Sequence, residues 1–339
     1  MTKLMRWLTL GLITLSLLAY LSPYIPPTQL FGIISLLGLL YPFLLLAQIA
    51  FLTFWGLRRD RYFFFSLVCI LIGWSFLSKN FGLNFSSDNI ATANSIKVMT
   101  FNASSGRFFD SKEDFHYYLR QQSPEILCLQ ETPGRYHIEG LKGSEDQRYY
   151  FATSEQKRLT IASVYPIEDY GSFAILNSSN GILYADVKIG EQLIRIYCLH
   201  LLSNGVTGMV DQVATEQDWQ SREAWSKVKR IFNGYQKTTR ERAKQAEELA
   251  AHIALSPHPY ILCGDLNDVP QSYVYQTLAT NSSDHFQLKG RGIGSTFRGN
   301  IPFLRIDYIM SSPSLKVIDN QIIKDGVSDH YPIVSYVQR

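Results

Sequence analysis

Ile261-Leu-Cys-Gly-Asp-Leu-Asn-Asp268 passes from three apolar residues through a glycine into a carboxylate and an amide two positions apart. In extended backbone that spacing puts Asp265 and Asn267 on one face, and Gly264 lets another backbone or a ligand approach closely. A carboxylate beside an amide suits orienting a water while donating a hydrogen bond to a phosphate oxygen. Taken alone the stretch reads equally well as an Asp and Asn turn after a strand. It gains weight because other strand-like runs in the chain stop at the same kinds of group.

Glu131 closes Pro124-Glu-Ile-Leu-Cys-Leu-Gln-Glu131, His200 closes Ile194-Arg-Ile-Tyr-Cys-Leu-His200, and Asn102 closes Val98-Met-Thr-Phe-Asn102. Hard divalent cations want oxygen ligands and often take only one or two carboxylates, which makes Glu131 the best single metal ligand. His200 could donate to a phosphoryl oxygen that gains charge in a transition state. Asp307 stands in the middle of Arg305-Ile-Asp-Tyr-Ile309, an apolar run where an unpaired charge is costly. His330, in Ser328-Asp-His-Tyr-Pro-Ile333, has the side chain that titrates nearest neutrality and needs a partner to fix its tautomer. Pairing Asp307 with His330 meets both needs. Strands ending this way deliver their groups to one sheet edge, where α/β folds gather ligand sites.

Composition divides the 339 residues. From Trp7 to Leu57, 51 residues carry no Asp, Glu, Lys or Arg, broken only by Pro23, Pro26 and Pro27, and a second uncharged run covers Tyr62 to Ser78. At about 20 residues per crossing, these runs predict three transmembrane helices in residues 1–79. A cleaved signal peptide over Met1 to Tyr20 would lack its small-residue cleavage pattern and leave the later runs unexplained. Lys3 and Arg6, with Arg58, Arg59 and Arg61, fall on one side, so the positive-inside rule predicts a multi-pass protein of the cell membrane whose remainder is extracytoplasmic. Residues 80–95 read as a juxtamembrane linker and 96–339 as the catalytic domain.

From Ile96 onward lie 26 of the 32 basic residues and 27 of the 29 acids, a balance without the broad positive field that non-specific nucleic-acid binding needs. Cys69 lies in the third span; Cys128, Cys198 and Cys263 match no zinc spacing and read as buried thiols. Strands are predicted at 96–101, 125–129, 159–164, 181–187, 193–199, 260–262, 305–310 and 333–337. A helix over 240–255 carries an apolar stripe of Ala243, Ala246, Leu249, Ala250 and Ile253 opposite Arg242, Lys244, Glu247 and Glu248. Residues 204–239 form an insertion; within it 218–233 reads as a packing helix, with a helix lying on the membrane surface as the alternative.

Taken in order, Thr100-Phe-Asn102, Leu129-Gln-Glu131, Leu199-His-Leu201, Gly264-Asp-Leu-Asn267, Arg305-Ile-Asp-Tyr308 and Ser328-Asp-His330 resemble the endonuclease/exonuclease/phosphatase superfamily. The resemblance covers 96–339. It implies an α/β fold of the deoxyribonuclease-I-like kind, a four-layer sandwich of two mainly antiparallel sheets with outer helices, preceded here by an all-α transmembrane region. It assigns Asn102 and Glu131, joined by Asp329, to a Mg2+ or Mn2+ site. Asp265 and Asn267 match the pair that orients the nucleophile and binds phosphate, Asp307 and His330 the acid and histidine dyad, and His200 the second histidine. Arg298 and Arg305 are candidate phosphate contacts, with ion pairing as the alternative. Thr296 reads as a strand-start threonine, with a substrate-side role as the alternative. The expected activity is a metal-dependent, membrane-integral phosphoesterase acting on a phosphodiester or phosphomonoester of a lipid or small metabolite. A nuclease acting on extracytoplasmic DNA or RNA and a non-catalytic membrane binding protein are the competing readings.

Overall fold

The computed structural model describes residues 2–28, 31–84, 95–131, 141, 148–154, 156, 158–173, 180–203, 222–299 and 301–338. Its helices are α1 (Thr2–Leu21), α2 (Gly32–Leu39), α3 (Tyr41–Leu57), α4 (Tyr62–Ile72), α5 (Trp74–Asn80), α6 (Lys112–Gln122), α7 (Arg222–Ala254), α8 (Tyr273–Ala279) and α9 (His285–Lys289). Its strands are β1 (Phe81–Leu83), β2 (Ser95–Asn102), β3 (Ile126–Gln130), β4 (Tyr150–Ser154), β5 (Leu159–Ser163), β6 (Ile167–Phe173), β7 (Gly181–Ile189), β8 (Gln192–His200), β9 (Tyr260–Asp265), β10 (Ser283–Asp284), β11 (Arg291–Ile293), β12 (Asp307–Ser311), β13 (Lys316–Ile322) and β14 (Ile333–Gln338).

Two six-stranded sheets run in the orders β13-β14-β2-β3-β5-β4 and β10-β12-β9-β8-β7-β6. Each is antiparallel except for one parallel pair among the described residues, β2 with β3 and β8 with β9. A parallel pair needs a long crossover. Helix α6 lies in the first and α7 in the second. Period-two alternation then sorts the side chains. Val98, Ile126, Cys128, Ile196, Cys198, Ile261 and Cys263 meet between the sheets. On the outer face of one sheet Met99, Phe101, Leu127 and Leu129 pack with Phe115 and Leu119 of α6. On the other, Leu199 and Leu262 pack with Ala246 and Leu249 of α7. The result is the four-layer α/β sandwich, with all four cysteines free and buried.

Helix α7 is longer than the helix predicted over 240–255 and takes in the described part of the insertion; 204–221 lie outside the described residues. Arg242, expected on its polar face, is instead fully buried, its Nε 3.0 Å from Asp268 Oδ2 and its Nη1 2.7 Å from the Leu202 carbonyl. The ion pair and the carbonyl together satisfy a charge that alternation alone would send to water.

Among the described residues one helix, Thr2–Tyr24, is long and apolar enough to cross a membrane. The count rises to three if each of two bent pairs, α2 with α3 at 63° and α4 with α5 at 59°, forms one span. These helices pack with polar groups inward: Trp55 Nε1 donates to Thr9 Oγ1 at 2.8 Å and Gln48 Nε2 to Ser16 Oγ at 3.2 Å. Leu8, Leu15, Phe64, Phe65, Val68 and Leu71 point outward, the reverse of a water-soluble bundle. Within 80–95, β1 pairs antiparallel with β11, while 85–94 lie outside the described residues.

Candidate active site

The rim where β2, β3, β8 and β9 end collects the polar groups. Register places His200 opposite Asp265 and Asn102 opposite Gln130. Asn102, His200 and Asp265 are the next inward positions after Thr100, Cys198 and Cys263, so the alternation that builds the core carries them to the lip of the sandwich. Asp307 and His330 reach the same lip differently from the expectation that strands stop there. Asp307 begins β12, which runs antiparallel to β9 and sets Asp307 opposite Asp265, and His330 lies three residues before β14. Reversed strands start where their antiparallel neighbours finish.

Two residues are turned onto the rim by left-handed backbone. Glu131 follows β3 with φ 48° and Asn267 follows β9 with φ 50°, a conformation uncommon outside glycine. Alternation alone would send the Glu131 side chain outward with Leu127 and Leu129; the left-handed turn brings it to the pocket instead. Gly264 has φ +144°, and a Cβ there would lie 2.1 Å from the Leu199 carbonyl oxygen, so only glycine lets β9 approach β8 at this point.

Asp265 is the hub. Its Oδ1 accepts from the Asn267 amide at 2.7 Å, and its Oδ2 accepts from Asn102 Nδ2 at 3.2 Å and Asn267 Nδ2 at 3.2 Å. The same Oδ2 lies 3.7 Å from His200 Nε2 and 3.8 Å from His330 Nε2. Burial pushes the Asp265 carboxyl up to about 6, with Asp307 adding to the rise and the histidines opposing it. His330 is held from behind by Asp307, Nδ1 to Oδ2 at 2.9 Å, and from the side by the edge of Phe297 at 5.0 Å. Burial favours the neutral imidazole, yet Asp307 and Asp265 outweigh it and raise His330 to about 10. Burial lowers His200, against the pull of Asp265 and Glu131.

Six of the eight residues singled out in the sequence line one pocket: Glu131, His200, Asp265, Asn267, Asp329 and His330. Asn102 and Asp307 sit behind its wall, almost wholly buried. The Asn102 amide is oriented by Ser104, whose backbone N–H donates to its Oδ1 at 3.1 Å. Sequence reading missed several supporting groups. Ser328 Oγ donates to the Asn102 carbonyl at 3.0 Å and accepts from the His330 N–H at 3.2 Å. Ser104 Oγ bonds Asp329, and Ser105 Oγ, itself bonded by Arg158, reaches Glu131 Oε2 at 3.4 Å. The serine before Asp329 is a recognisable turn residue; Arg158 has no local signature.

For Arg305 the ion-pair alternative holds, and the strand-start reading of Thr296 is corrected. Arg305 is buried, bonded to Asp284 and to the Lys79 carbonyl, and touches no part of the pocket. Arg298 is exposed and donates to the Gly326 carbonyl at 3.1 Å. Thr296 starts no strand; its hydroxyl accepts from the Ile306 and Asp307 N–H groups at 2.9 and 3.0 Å, fixing the entry to β12.

Carboxylates of Glu131, Asp265 and Asp329 facing one pocket form an oxygen-rich donor set of the kind hard divalent cations prefer. Asp265, Asp307 and His330 also bring one potential ligand atom each within 4.8 Å of one another. Because the His330 Nδ1 is already held by Asp307, that trio is better described as an acid and histidine pair facing a carboxylate.

The two sheets with helices outside form the four-layer α/β sandwich of the solved structures below, and here an acid and histidine pair and a buried carboxylate stand at one rim. A model of the Endonuclease/Exonuclease/phosphatase family matches residues 99–330, and the chain belongs to that family, whose members hydrolyse phosphoester bonds. Residues 2–80 match a model described as a domain of unknown function. Among solved structures the chain is similar to humanized D. rerio TDP2 with 14 mutations, at 17% identity over 72% of this chain and 99% of that one, with a TM-score of 0.53. An endonuclease/exonuclease/phosphatase from Bacteroides vulgatus matches at 16% identity over 72% and 98% of the two chains, TM-score 0.52. A mannosyl-6-phosphatase from Bacteroides thetaiotaomicron matches at 15% identity over 72% and 100%, TM-score 0.51. No curated protein matches the sequence.

Proposed function

We propose that the chain is a membrane-tethered, divalent-metal-dependent phosphoesterase, with residues 1–79 as a region of three transmembrane helices, 80–95 as the connection and 96–339 as an extracytoplasmic catalytic domain. The observation that carries the reading is the Asp265 carboxylate, buried and raised, within 4 Å of two imidazoles on the floor of an open pocket. Asp265 orients a water and takes its proton, with Asn267 and Asn102 fixing the carboxylate. His330, kept protonated by Asp307, and His200 donate to phosphoryl oxygens as charge builds. Glu131 and Asp329, whose carboxylates face the pocket, with Asn102 behind them, would hold Mg2+ or Mn2+, which supplies Lewis-acid polarisation of a phosphoryl oxygen when bound.

Glu131→Gln keeps the side chain's size and removes its charge. The expected result is a loss of about a hundredfold or more in hydrolysis of a chromogenic phosphodiester, with a higher Mn2+ concentration needed for half-activation and an unchanged melting temperature. Wild-type activity in Glu131→Gln at equal metal would remove the residue from this role. Oligonucleotides run alongside separate the nuclease alternative, which has a counterpart in the structure of D. rerio TDP2 with a single-strand DNA product. Steeply salt-dependent cleavage would favour it.

Support for the orientation comes from the bundle's two ends. At one, Arg6 pairs with Asp60 at 2.7 Å, beside Arg58, Arg59 and Arg61; at the other, Tyr20, Tyr41 and Phe76 form an aromatic cluster next to the catalytic domain. Under the positive-inside rule, basic residues at the far end favour a domain on the outer side. A periplasmic-type reporter fused after Ser78 should be active, and one fused after Arg59 inactive; the opposite pattern would place the domain in the cytoplasm.

A further inference from the structure

The pocket of about 190 Å³ has two unlike parts. Its polar part is the rim described above. The rest is one contiguous apolar cluster: Val269, Leu304 and Ile306, with Phe297, Ile301 and Leu39 packed against them. Leu39 does not belong to the sandwich. It ends α2, within the uncharged N-terminal segment, so a residue of the apolar region forms part of the pocket wall.

The placement of Leu39 is built into the contact. The docked face of α2 is Gly32, Ser35 and Gly38, all buried. A Cβ on Gly32 would lie 2.4 Å from Gln236 Nε2, and one on Gly38 would lie 2.6 Å from the Gln271 carbonyl oxygen. Tyr235 of α7 donates to the Ser35 carbonyl at 3.1 Å. Small residues three apart let the helix backbone lie directly on the domain, the same device that brings membrane helices together. Around Leu39, the side chains of Ile33, Leu40 and Phe43 are exposed, facing away from the domain. The pocket's apolar wall therefore continues into the outward-facing apolar surface of the bundle.

We propose that the substrate is a lipid phosphoester, its phosphate at Asp265 and His330 and its first methylenes along Leu39, Val269, Leu304 and Ile306, with the remaining chain in the bilayer. This rests on the phosphoesterase reading and names the substrate class of that site. A phosphate carried by a wholly hydrophilic group would leave the wall wet and draw nothing from it. A chain that passes from the pocket to the surface of α2 and α3 buries apolar area along the whole route.

The test uses the full chain in lipid nanodiscs with Mg2+ or Mn2+ and a series of alkyl 4-nitrophenyl phosphates from methyl to octyl. The expected result is a rise in kcat/KM of about fourfold per methylene over the first members, the factor expected for burial of a CH2 group. Partition into the disc lifts long esters as well, so the decisive quantity is the octyl-to-methyl ratio. It should fall about tenfold in Leu39→Asn and persist in Leu39→Met. Hydrolysis of the methyl ester with a flat wild-type series would overturn the lipid assignment and leave the phosphoesterase reading standing. Release from no ester, and none from the monoester 4-nitrophenyl phosphate run alongside, would end both, and an unchanged ratio in a folded Leu39→Asn would overturn the route past α2. If Leu39→Asn does not accumulate, the wild-type series still decides.

Discussion

His330→Ala should lower kcat for phosphoester hydrolysis about a thousandfold, within the range that positioned acid–base groups supply. The expectation follows from how the imidazole is held. Asp307 Oδ2 stands 2.9 Å from its Nδ1, Phe297 packs its edge against the ring, and Nε2 faces Asp265 across 3.8 Å. Asp307→Asn keeps the shape and removes the charge that keeps the ring protonated, and should cost about a hundredfold. Because the two act as a unit, the double variant should be no slower than His330→Ala alone. The pH profile gives a second reading. Activity should rise as Asp265 loses its proton near 6 and fall as His330 approaches its own value near 10. In Asp307→Asn the charge that raises His330 is gone, so the alkaline limb should move down toward the ordinary histidine range. Additive losses in the double variant, or an unmoved alkaline limb, would show that Asp307 and His330 do not work as a pair.

Much of this site was legible in sequence because it is built by alternation. Asn102, His200 and Asp265 each continue an inward row already marked by Val98, Ile196 and Ile261, so the apolar run announces the position of the polar group that closes it. Four of the six strands that escaped the reading share a cause; the other two, β1 and β11, are three residues each and form a separate two-stranded sheet. β4, β6, β10 and β13 are the four outer strands of the two sheets. Outer strands are partly solvated and carry polar residues at positions that central strands fill with Ile and Leu, as in Ile167–Phe173, where Glu168, Asp169 and Tyr170 are all exposed. β10 is two residues long and has no pattern to read.

Other features lie in contacts between distant segments, and no local pattern marks them. Arg242 and Arg305 look like surface charges until Asp268 and Asp284 are brought to them. Asp307 looks like the middle of a strand, although β12 begins at it. Leu39 is one leucine among many in an uncharged run; its place in the pocket wall depends on α2 docking against Gln236 and Gln271, which are close to it only in the folded chain.

Arg305→Ala should be the most destabilising single change of a charged side chain here, by about 3–5 kcal/mol, because it strands a buried carboxylate. Asp284 is almost wholly buried and accepts from Arg305 Nη1 at 2.8 Å, from Tyr275 at 2.6 Å and from the Phe286 N–H at 3.0 Å. Burial works against its charge, and Arg305 with the other donors overcomes this and holds it below the ordinary carboxylate value. A depressed folded value means the stabilisation is fully present above the unfolded carboxylate value and is lost as pH falls from there through the lower folded value. The guanidinium also lies 4.6 Å from the ring centroids of Phe286 and Tyr308, so alanine removes packing along with charge. Its Nη1 donates to the Lys79 carbonyl at 2.8 Å, tying the end of α5 to the sandwich. The melting temperature of the full chain should fall by about 10 °C, and protease cleavage near residues 79–84 should become faster. Arg305→Lys should rescue little, since one ammonium cannot reproduce the two-pronged contact of Nη1 and Nη2 with Asp284 or the flat packing on Phe286 and Tyr308. Asp284→Asn combined with Arg305→Met should cost less than the sum of the single changes, because no charge is then left unpaired. Were Arg305 a phosphate contact, Arg305→Ala would raise KM at an unchanged melting temperature. A fall in melting temperature with KM preserved in the folded fraction assigns it to the junction between the apolar bundle and the catalytic sandwich.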